Sequence, residues 1–568
     1  GLPPAEQKAP DGTMEDHVLR SPFSRPTLDS ARNFGAFMLD KLEAHSQSRF
    51  VNGSSHVSWS YGELAGMARA VCRGLRRRLG VGRGRVISLL SNSRAELLPA
   101  LFGAACANVA VTFEQPDYGV DVIVDMLEPL QPDAIFCEPS ALGKILQVQK
   151  KLSCVKHVVL LGAEEAGDQV LSWSQLLGSG DADDAPWSPE YVAGQTCYLP
   201  FTSGTTGKPK VVVHTHESLL ANVQAAGRPD QLSLGEQDVL VCTSTLGHVY
   251  ALFDCVCKGI VQGASTVFLE YRASTEALLE ALQRHRATAL CTVPFVAQQL
   301  LASPHLDRYD LSSLRHLTTA SSYISPDIPK GLFDKLRLTS YAQLYGQTEI
   351  IFVAAGSYGK PPNFASMGRL GAGREAMIRD PETGQALGPG ERGELMLRGP
   401  GLMRGYWHSL DTPVTDADGW YSTGDECYYD EQGWLYMVQR ISEMMQFRGD
   451  KVPPADVEAM LLRCPEVADC AVVGLPDPVA HQLPHAVIVP KVPVGEEHFV
   501  SFMAENAPSY LQLEGGVTLT DAIPRNNLGK VVRRQLLEWV LRHSKHQQHQ
   551  GSAVRQHQSA VAQHQSAV

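Results

Sequence analysis

The sequence is short of positive charge: 49 Lys and Arg face 61 Asp and Glu, a formal net charge of −12. Nucleic acids and anionic membranes select surfaces whose excess Lys and Arg displace counterions, so a general binder of either is disfavoured, although a small anion can still be held locally. Paired cysteines are missing as well. The twelve cysteines run from Cys72 to Cys470 with no CxxC pair and no regular spacing. Neither a zinc pattern nor a disulfide framework is indicated, and a reducing compartment fits best. Cys255 and Cys257 lie in an apolar stretch and read as small buried hydrophobes. No apolar run is long enough to cross a membrane: the longest, Leu97–Phe113, contains Pro99 and Asn108 and falls short of the ~20 residues a span needs. It reads instead as a buried helix running into a strand. No basic region followed by an apolar core is visible near Gly1, Met14 reads as an initiator after leftover residues, and Ser566-Ala567-Val568 is not a Ser-Lys-Leu address. A cytoplasmic location is therefore expected, with the peroxisome left open.

What is present is a chain of 568 residues, 44% hydrophobic and 19% charged, which is the composition of a globular protein. At ~100–200 residues per domain it holds three or more packed units. β-Branched runs at Val86–Leu90, Val158–Leu161, Val211–His214, Val239–Val241 and Thr266–Leu269 alternate with helical stretches at Tyr61–Leu79 and Ser274–His285. That alternation predicts a layered α/β fold with mainly parallel sheets. Glycine- and proline-rich text from Pro381 to Gly405, followed by short strands, predicts a smaller β-rich unit before residue 437. Pro454–Arg463, Val467–Val473 and Glu497–Asn506 then read as helix, strand and helix of a small α+β domain. From Ser544 the chain is mostly His, Gln, Ser and Ala, a composition that cannot bury a core and is expected to be disordered over 544–568.

The sharpest local feature is the run Thr202-Ser203-Gly204-Thr205-Thr206-Gly207-Lys208-Pro209-Lys210, set between two apolar strands. Such a loop suits polyphosphate: two glycines let backbone amides approach closely, four hydroxyls can donate to phosphate oxygens, and Lys208 adds charge. The GxxxxGK[ST] spacing of a Walker A loop is absent. From composition alone a polar surface turn is an equal reading.

The complete string changes that balance. TSGTTGKPK, with His214-Thr215-His216 after it, resembles the phosphate loop of the adenylate-forming superfamily of acyl-CoA synthetases, coumarate–CoA ligases, firefly luciferases and adenylation domains. Further motifs follow in the family's order: Tyr345-Gly346-Gln347-Thr348-Glu349, then Gly393-Glu394-Leu395 through Arg398-Gly399 to Gly405-Tyr406, then Trp420-Tyr421-Ser422-Thr423-Gly424-Asp425, then Arg440, and finally Pro524 to Lys530 with Arg533-Arg534. The resemblance spans roughly residues 14–540. It implies an AMP-binding region at 14–438, a hinge at 439–442 and a mobile lid domain at 443–540.

The resemblance also implies roles. Thr202, Ser203, Gly204, Thr205, Thr206, Gly207 and Lys208 would hold the ATP phosphates. Glu349 would be the magnesium ligand and Thr348 an α-phosphate contact; Gln343, Tyr345, Gly346, Gln347 and Ser322 would border the nucleotide, and Asp425 would accept the ribose hydroxyls. Arg440 would sit at the domain junction, and Arg448 and Gly449 near coenzyme A. Lys530 would bridge carboxylate and α-phosphate as the adenylate forms. His248, Tyr250, Phe295, Ser321, Ile350, Ile351, Phe352 and Val353 would line an acyl pocket whose apolar character implies an aliphatic or aromatic acid. ATP, Mg2+ and coenzyme A are the implied cofactors and a small carboxylic acid the partner. Nucleic acid is not expected, and the oligomeric state is left open.

Four departures stand out. A glycine of the family's phosphate loop is Val211, its SGGAPL-like segment is Thr319-Ala320-Ser321-Ser322-Tyr323-Ile324, a glycine before the YGxTE tyrosine is Leu344, and two hinge lysines are Ser442 and Gln446. Loss of the lysine at 446 argues against a luciferase. Three readings stay open: an acyl-CoA ligase, an adenylating enzyme with another acceptor, and a weakened relative kept as a ligand-binding protein.

Overall fold

The computed structural model describes the chain except for residues 1–16, 24–30, 54, 92–93, 164–169, 179–188, 203–209, 229–233, 270–272, 323, 357–361, 448–449, 509–510, 527–529 and 544–568. The chain divides into two compact units: Gly1–Thr423 with Cys427–Met437, and Gly424–Glu426 with Val438–Val568. The low-complexity tail expected at 544–568 lies outside the described residues.

Three sheets are built largely from the longer part of the chain. In the first, the central strands Ala110–Glu114, Val86–Leu90, Ala134–Cys137, His157–Leu160 and Leu171–Ser172 are parallel. At one edge Thr196–Tyr198 continues the parallel run, and Lys210–Thr215 and Phe201–Thr202 beyond it are antiparallel. In the second, Ser340–Tyr345, His316–Thr319, Ala289–Thr292, Val239–Cys242, Ser265–Phe268 and Arg49–Asn52 run parallel. Antiparallel strands complete it, Ser58–Ser60 at one edge and Ala354–Ala355 with Arg369–Leu370 at the other. The third is the expected smaller β-rich sheet, in the order Val18–Arg20, Glu375–Arg379, Gly393–Arg398, Tyr421–Tyr429, Leu435–Arg440. Parallel strands need long crossovers that place helices on the faces, which is why these central strands read as continuous apolar runs.

The helices follow their sequence signals. Tyr61–Arg77 starts at a capping box in which Ser60 accepts from the Glu63 amide and Glu63 reaches back to the Ser60 amide. Its face of Leu64, Ala68, Val71 and Leu75 is fully buried, while Arg76 and Arg77 oppose the negative end of its dipole. The buried run anticipated at Leu97–Phe113 is the helix Leu97–Cys106 followed by the strand Ala110–Glu114. Gly103 permits its close packing, since a Cβ there would come within 2.4 Å of the Ala68 carbonyl oxygen.

The shorter unit carries a sheet in which the long hairpin Val467–Asp477/His481–Pro490 is flanked by Met445–Phe447, Asp450–Val452 and Val517–Leu519. Helices Pro454–Leu461 and Glu496–Asn506 pack over it through Val457, Leu461, Phe499 and Met503.

Candidate active site

The predicted residues fall into two groups, one in each unit. In the larger unit, strand Ser340–Tyr345 leads directly into the Gly346–Glu349 segment. Gly346 has a steric reason to be glycine: a Cβ there would meet the Ile351 carbonyl oxygen at 1.7 Å. Gln347 is buried and clamps this segment, donating to the Thr423 carbonyl at 3.0 Å and accepting from the Tyr421 hydroxyl at 3.3 Å. The Tyr406 hydroxyl donates to Glu349 Oε1 at 3.0 Å, and the Met403 amide to the Glu349 carbonyl at 2.7 Å. The motif containing Gly405-Tyr406 therefore orients the candidate metal carboxylate.

Thr348 is held from beneath. His214, completely buried, places Nε2 2.7 Å from the Thr348 carbonyl and Nδ1 3.1 Å from Ser218 Oγ. Burial pulls its imidazole down to about 4, so the ring is neutral at physiological pH and donates from Nε2 to the carbonyl. The histidine after the phosphate loop thus supports backbone.

Ser203, Gly204, Thr205, Thr206, Gly207 and Lys208 lie outside the described residues. Their flanks are paired, with Thr202 opposite Lys210 and Phe201 opposite Val211 in an antiparallel hairpin. Lys210 Nζ stands 5.0 Å from the Tyr406 ring centroid. Val211, a departure from the family, is a strand residue buried among Val86, Ala110, Leu199 and Val213. A β-branched side chain fits that extended, packed position.

The expected acyl-pocket residues divide. His248 is half-buried, and burial takes its imidazole down to about 4. Ser321 is exposed and Ser322 half-exposed. Ser321 adopts φ +82°, a left-handed conformation that the family's glycine accepts without strain and serine does not. Tyr250 begins a helix wound with π-type hydrogen bonding, Tyr250–Cys257; its hydroxyl lies 3.2 Å from the Thr292 carbonyl and 3.4 Å from that of Thr318.

Ile350, Phe352 and Val353, expected at a pocket wall, are 0%, 1% and 0% exposed in the structure. Ile350 and Val353 pack with Tyr345, Met367 and Leu370, and Phe352 enters the central core. Tyr345 is likewise a core residue, and Gln343 is buried. The turn is held by Arg374, 1% exposed, which donates to the Phe352 carbonyl at 3.1 Å, to Asn222 Oδ1 at 2.8 Å and to the Pro400 carbonyl. Neither Arg374 nor Asn222 was legible in the sequence, because a buried arginine looks like any surface charge until its partners are known.

In the smaller unit Asp425, completely buried, pairs through Oδ1 with Arg440 Nε at 2.9 Å. Lys530 Nζ lies 3.9 Å from Glu443 Oε1. Arg533 donates to Glu443 Oε2 at 3.1 Å and, with two nitrogens, to Glu458 at 2.6 and 3.2 Å. Desolvation pulls the Lys530 ammonium down, with Glu443 and Asp425 opposing and Arg440 adding to the fall. Glu443 and Glu458 were not singled out from sequence; the signal was a carboxylate three residues beyond Arg440. Arg448 and Gly449 lie outside the described residues. The segment expected from sequence to act as a hinge is the end of strand Leu435–Arg440 followed by a single turn, Ile441–Glu443.

A family model for AMP-binding enzymes matches residues 40–407, and one for the C-terminal domain of AMP-binding enzymes matches 456–530. The chain belongs to the AMP-binding enzyme family. Among curated relatives, 4-coumarate–CoA ligase 3 of Oryza sativa subsp. japonica is 29% identical over 532 residues, covering 91% of this chain and 94% of that protein. Peroxisomal OPC-8:0-CoA ligase 1 of Arabidopsis thaliana is 30% identical over 511 residues, covering 87% and 91%. ATP-bound MatB from Rhodopseudomonas palustris shares the fold of this AMP-binding enzyme at a TM-score of 0.80 and 23% identity, covering 89% of this chain and 98% of its own. A benzoate CoA ligase from Burkholderia xenovorans gives 0.76 at 22% identity, covering 89% and 99%. The mixed α/β architecture expected from sequence is that of these neighbours.

Proposed function

We propose that this chain is an AMP-forming acid–CoA ligase that activates an apolar carboxylic acid, aliphatic or aromatic, with ATP. The observation that carries the reading is the gathering of Asp425, Arg440, Glu443 and Lys530 in one charged cluster of the smaller unit. It combines a buried carboxylate able to receive ribose hydroxyls with an ammonium held by a carboxylate. In adenylation the acid's oxygen attacks the α-phosphate and pyrophosphate leaves, so negative charge builds on phosphoryl oxygens. Lys530 neutralises that charge, and the Arg533–Glu443 pair sets its position. Gln347 holds the segment that presents Thr348 to the α-phosphate. Glu349, one oxygen of which accepts from Tyr406, has the hard oxygen donor that Mg2+ prefers, and such a metal would neutralise phosphate charge. The half-buried neutral His248 and the apolar Tyr250 helix favour an uncharged acyl tail, and the names of the coumarate– and OPC-8:0-CoA ligase relatives point the same way.

A second reading keeps adenylation and changes the acceptor. It is motivated by Gln446, an exposed side chain, and Ser442, where the coumarate ligases carry lysines. ATP–pyrophosphate exchange across acids of graded chain length and aromaticity, followed by a thioester assay with coenzyme A, decides between them. Exchange with thioester supports the ligase, and exchange without thioester supports another acceptor. No exchange with any acid means that the chain is a ligand-binding relative.

A further inference from the structure

The smaller unit holds a convergence of side chains that adenylation does not use. Cys464 lies in the turn after helix Pro454–Leu461, where its amide donates to the Leu461 carbonyl at 3.0 Å and its carbonyl accepts from the Val467 amide at 3.1 Å. Glu466 immediately precedes strand Val467–Asp477, and its carbonyl accepts from the Lys491 amide at 2.7 Å. His498 is in the first turn of helix Glu496–Asn506, its ring edge-on to Phe499 at 5.3 Å between centroids. Thiol, carboxylate and imidazole meet at one point: Sγ–Oε2 is 3.2 Å, Nε2–Oε2 3.3 Å and Sγ–Nε2 3.8 Å.

The geometry discriminates between possible roles. A catalytic thiol relay needs the carboxylate on one imidazole nitrogen and the thiol on the other. Here both approach Nε2, so the three groups face a common centre. Zinc bound at about 2.3 Å to sulfur, 2.0 Å to nitrogen and 2.1 Å to oxygen gives a tetrahedron with edges of about 3.4–3.6 Å. The observed separations bracket those edges. Thiolate with imidazole selects zinc over magnesium or calcium.

From this we propose that Cys464, Glu466 and His498 form a zinc site in the smaller unit, with the fourth position open to water. Binding displaces the thiol proton to solvent and forms a thiolate–metal bond with no change of oxidation state. The ion joins the end of one helix, the entry of the long strand and the start of a second helix. CxxC spacing could not reveal it, because His498 is separated from the other two by the whole hairpin. The proposal is independent of the acid–CoA ligase reading.

The test is titration of the chelator-treated full-length protein with Co2+ and then Zn2+. One equivalent of Co2+ should develop a thiolate-to-cobalt charge-transfer band in the near ultraviolet, and Zn2+ should abolish it. Cys464→Ser should lose the band. His498→Ala, a change at a partly exposed side chain, should weaken Co2+ binding at least ~10-fold, with retained ATP–pyrophosphate exchange or an unchanged circular dichroism spectrum reporting that the variant folds. Zn2+ should raise the thermal midpoint of the parent, and at equal concentration raise that of each variant less. Absence of the band, its persistence in Cys464→Ser, or metal uptake without a thiolate signature, as histidines of the tail would give, overturns the proposal.

Discussion

Two carboxylates, one in each unit, are almost completely removed from water, and they have different partners. Glu114, 3% exposed at the end of a central parallel strand, accepts hydrogen bonds from the Ser88 and Thr112 hydroxyls, the latter at 2.7 Å. Burial pushes its carboxyl up to about 7, although both hydroxyls act the other way. Asp425, 0% exposed, faces the guanidinium of Arg440 at 2.9 Å, with Lys530 in the same cluster. A hydroxyl dipole replaces only part of the hydration that a carboxylate loses, whereas a guanidinium brings an opposite charge. Burial alone therefore does not set how a carboxylate is partnered. The charged partner distinguishes Asp425 from Glu114.

Removing the cationic side of that contrast should have the largest effect. Lys530→Ala is expected to slow single-turnover adenylation by ~100- to 1,000-fold, the loss of one transition-state charge contact, with little change in thermal midpoint. A rate within about threefold of the parent would show that Lys530 does not act on the transition state.

Glu114 tests the hydroxyl side. Its folded pKa of about 7 lies above the ordinary 4.5, so between those values the folded state holds a proton that the unfolded state has released. Its contribution to stability is fully present below pH 4.5 and is lost as pH rises through 7. A Glu114→Gln variant cannot ionise, so its stability relative to the parent should improve by about 3 kcal/mol between pH 4.5 and 8. Urea melts at a series of pH values measure this. A constant difference would place the Glu114 titration at its ordinary value.

Asp425→Asn keeps the shape and removes the charge. Loss of a charge-assisted acceptor predicts ATP binding weaker by about 2 kcal/mol, or ~30-fold, read by equilibrium titration. Unchanged affinity would remove Asp425 from the nucleotide site. The smallest effect concerns strain: Ser321→Gly relieves a left-handed backbone and should stabilise the fold by about 0.5–1 kcal/mol after allowing for glycine's extra unfolded freedom. A thermal melt decides it, with destabilisation implying a hydrogen-bonding role for the serine.

Elements with strong local signals were readable. Val86–Leu90 has the predicted bounds, the helix expected at Tyr61–Leu79 runs Tyr61–Arg77, and that expected at Glu497–Asn506 begins one residue earlier. The strand expected at Val467–Val473 continues to Asp477 because its hairpin partner His481–Pro490 supplies the hydrogen bonds. Local composition does not carry that partner's length. Likewise Ile350-Ile351-Phe352-Val353 reads as apolar, and apolar residues line pockets and cores alike. The core placement follows from Arg374 and Asn222 drawing the Phe352 backbone inward, with Ile351 forced to φ +50°. No periodicity signals a β-branched residue in that conformation.

What the sequence alone determined was the layered α/β class, the order of the adenylation motifs and the family to which they belong, because these reside in short strings and local periodicity. The tertiary structure decided which charges are paired. It set Asp425 on Arg440 and Arg533 between Glu443 and Glu458, gave Glu114 the Ser88 and Thr112 hydroxyls, and brought Cys464 and Glu466 to His498. Pairing and desolvation depend on distances between segments far apart in the chain, and it is those distances that set what a buried ionisable group can do.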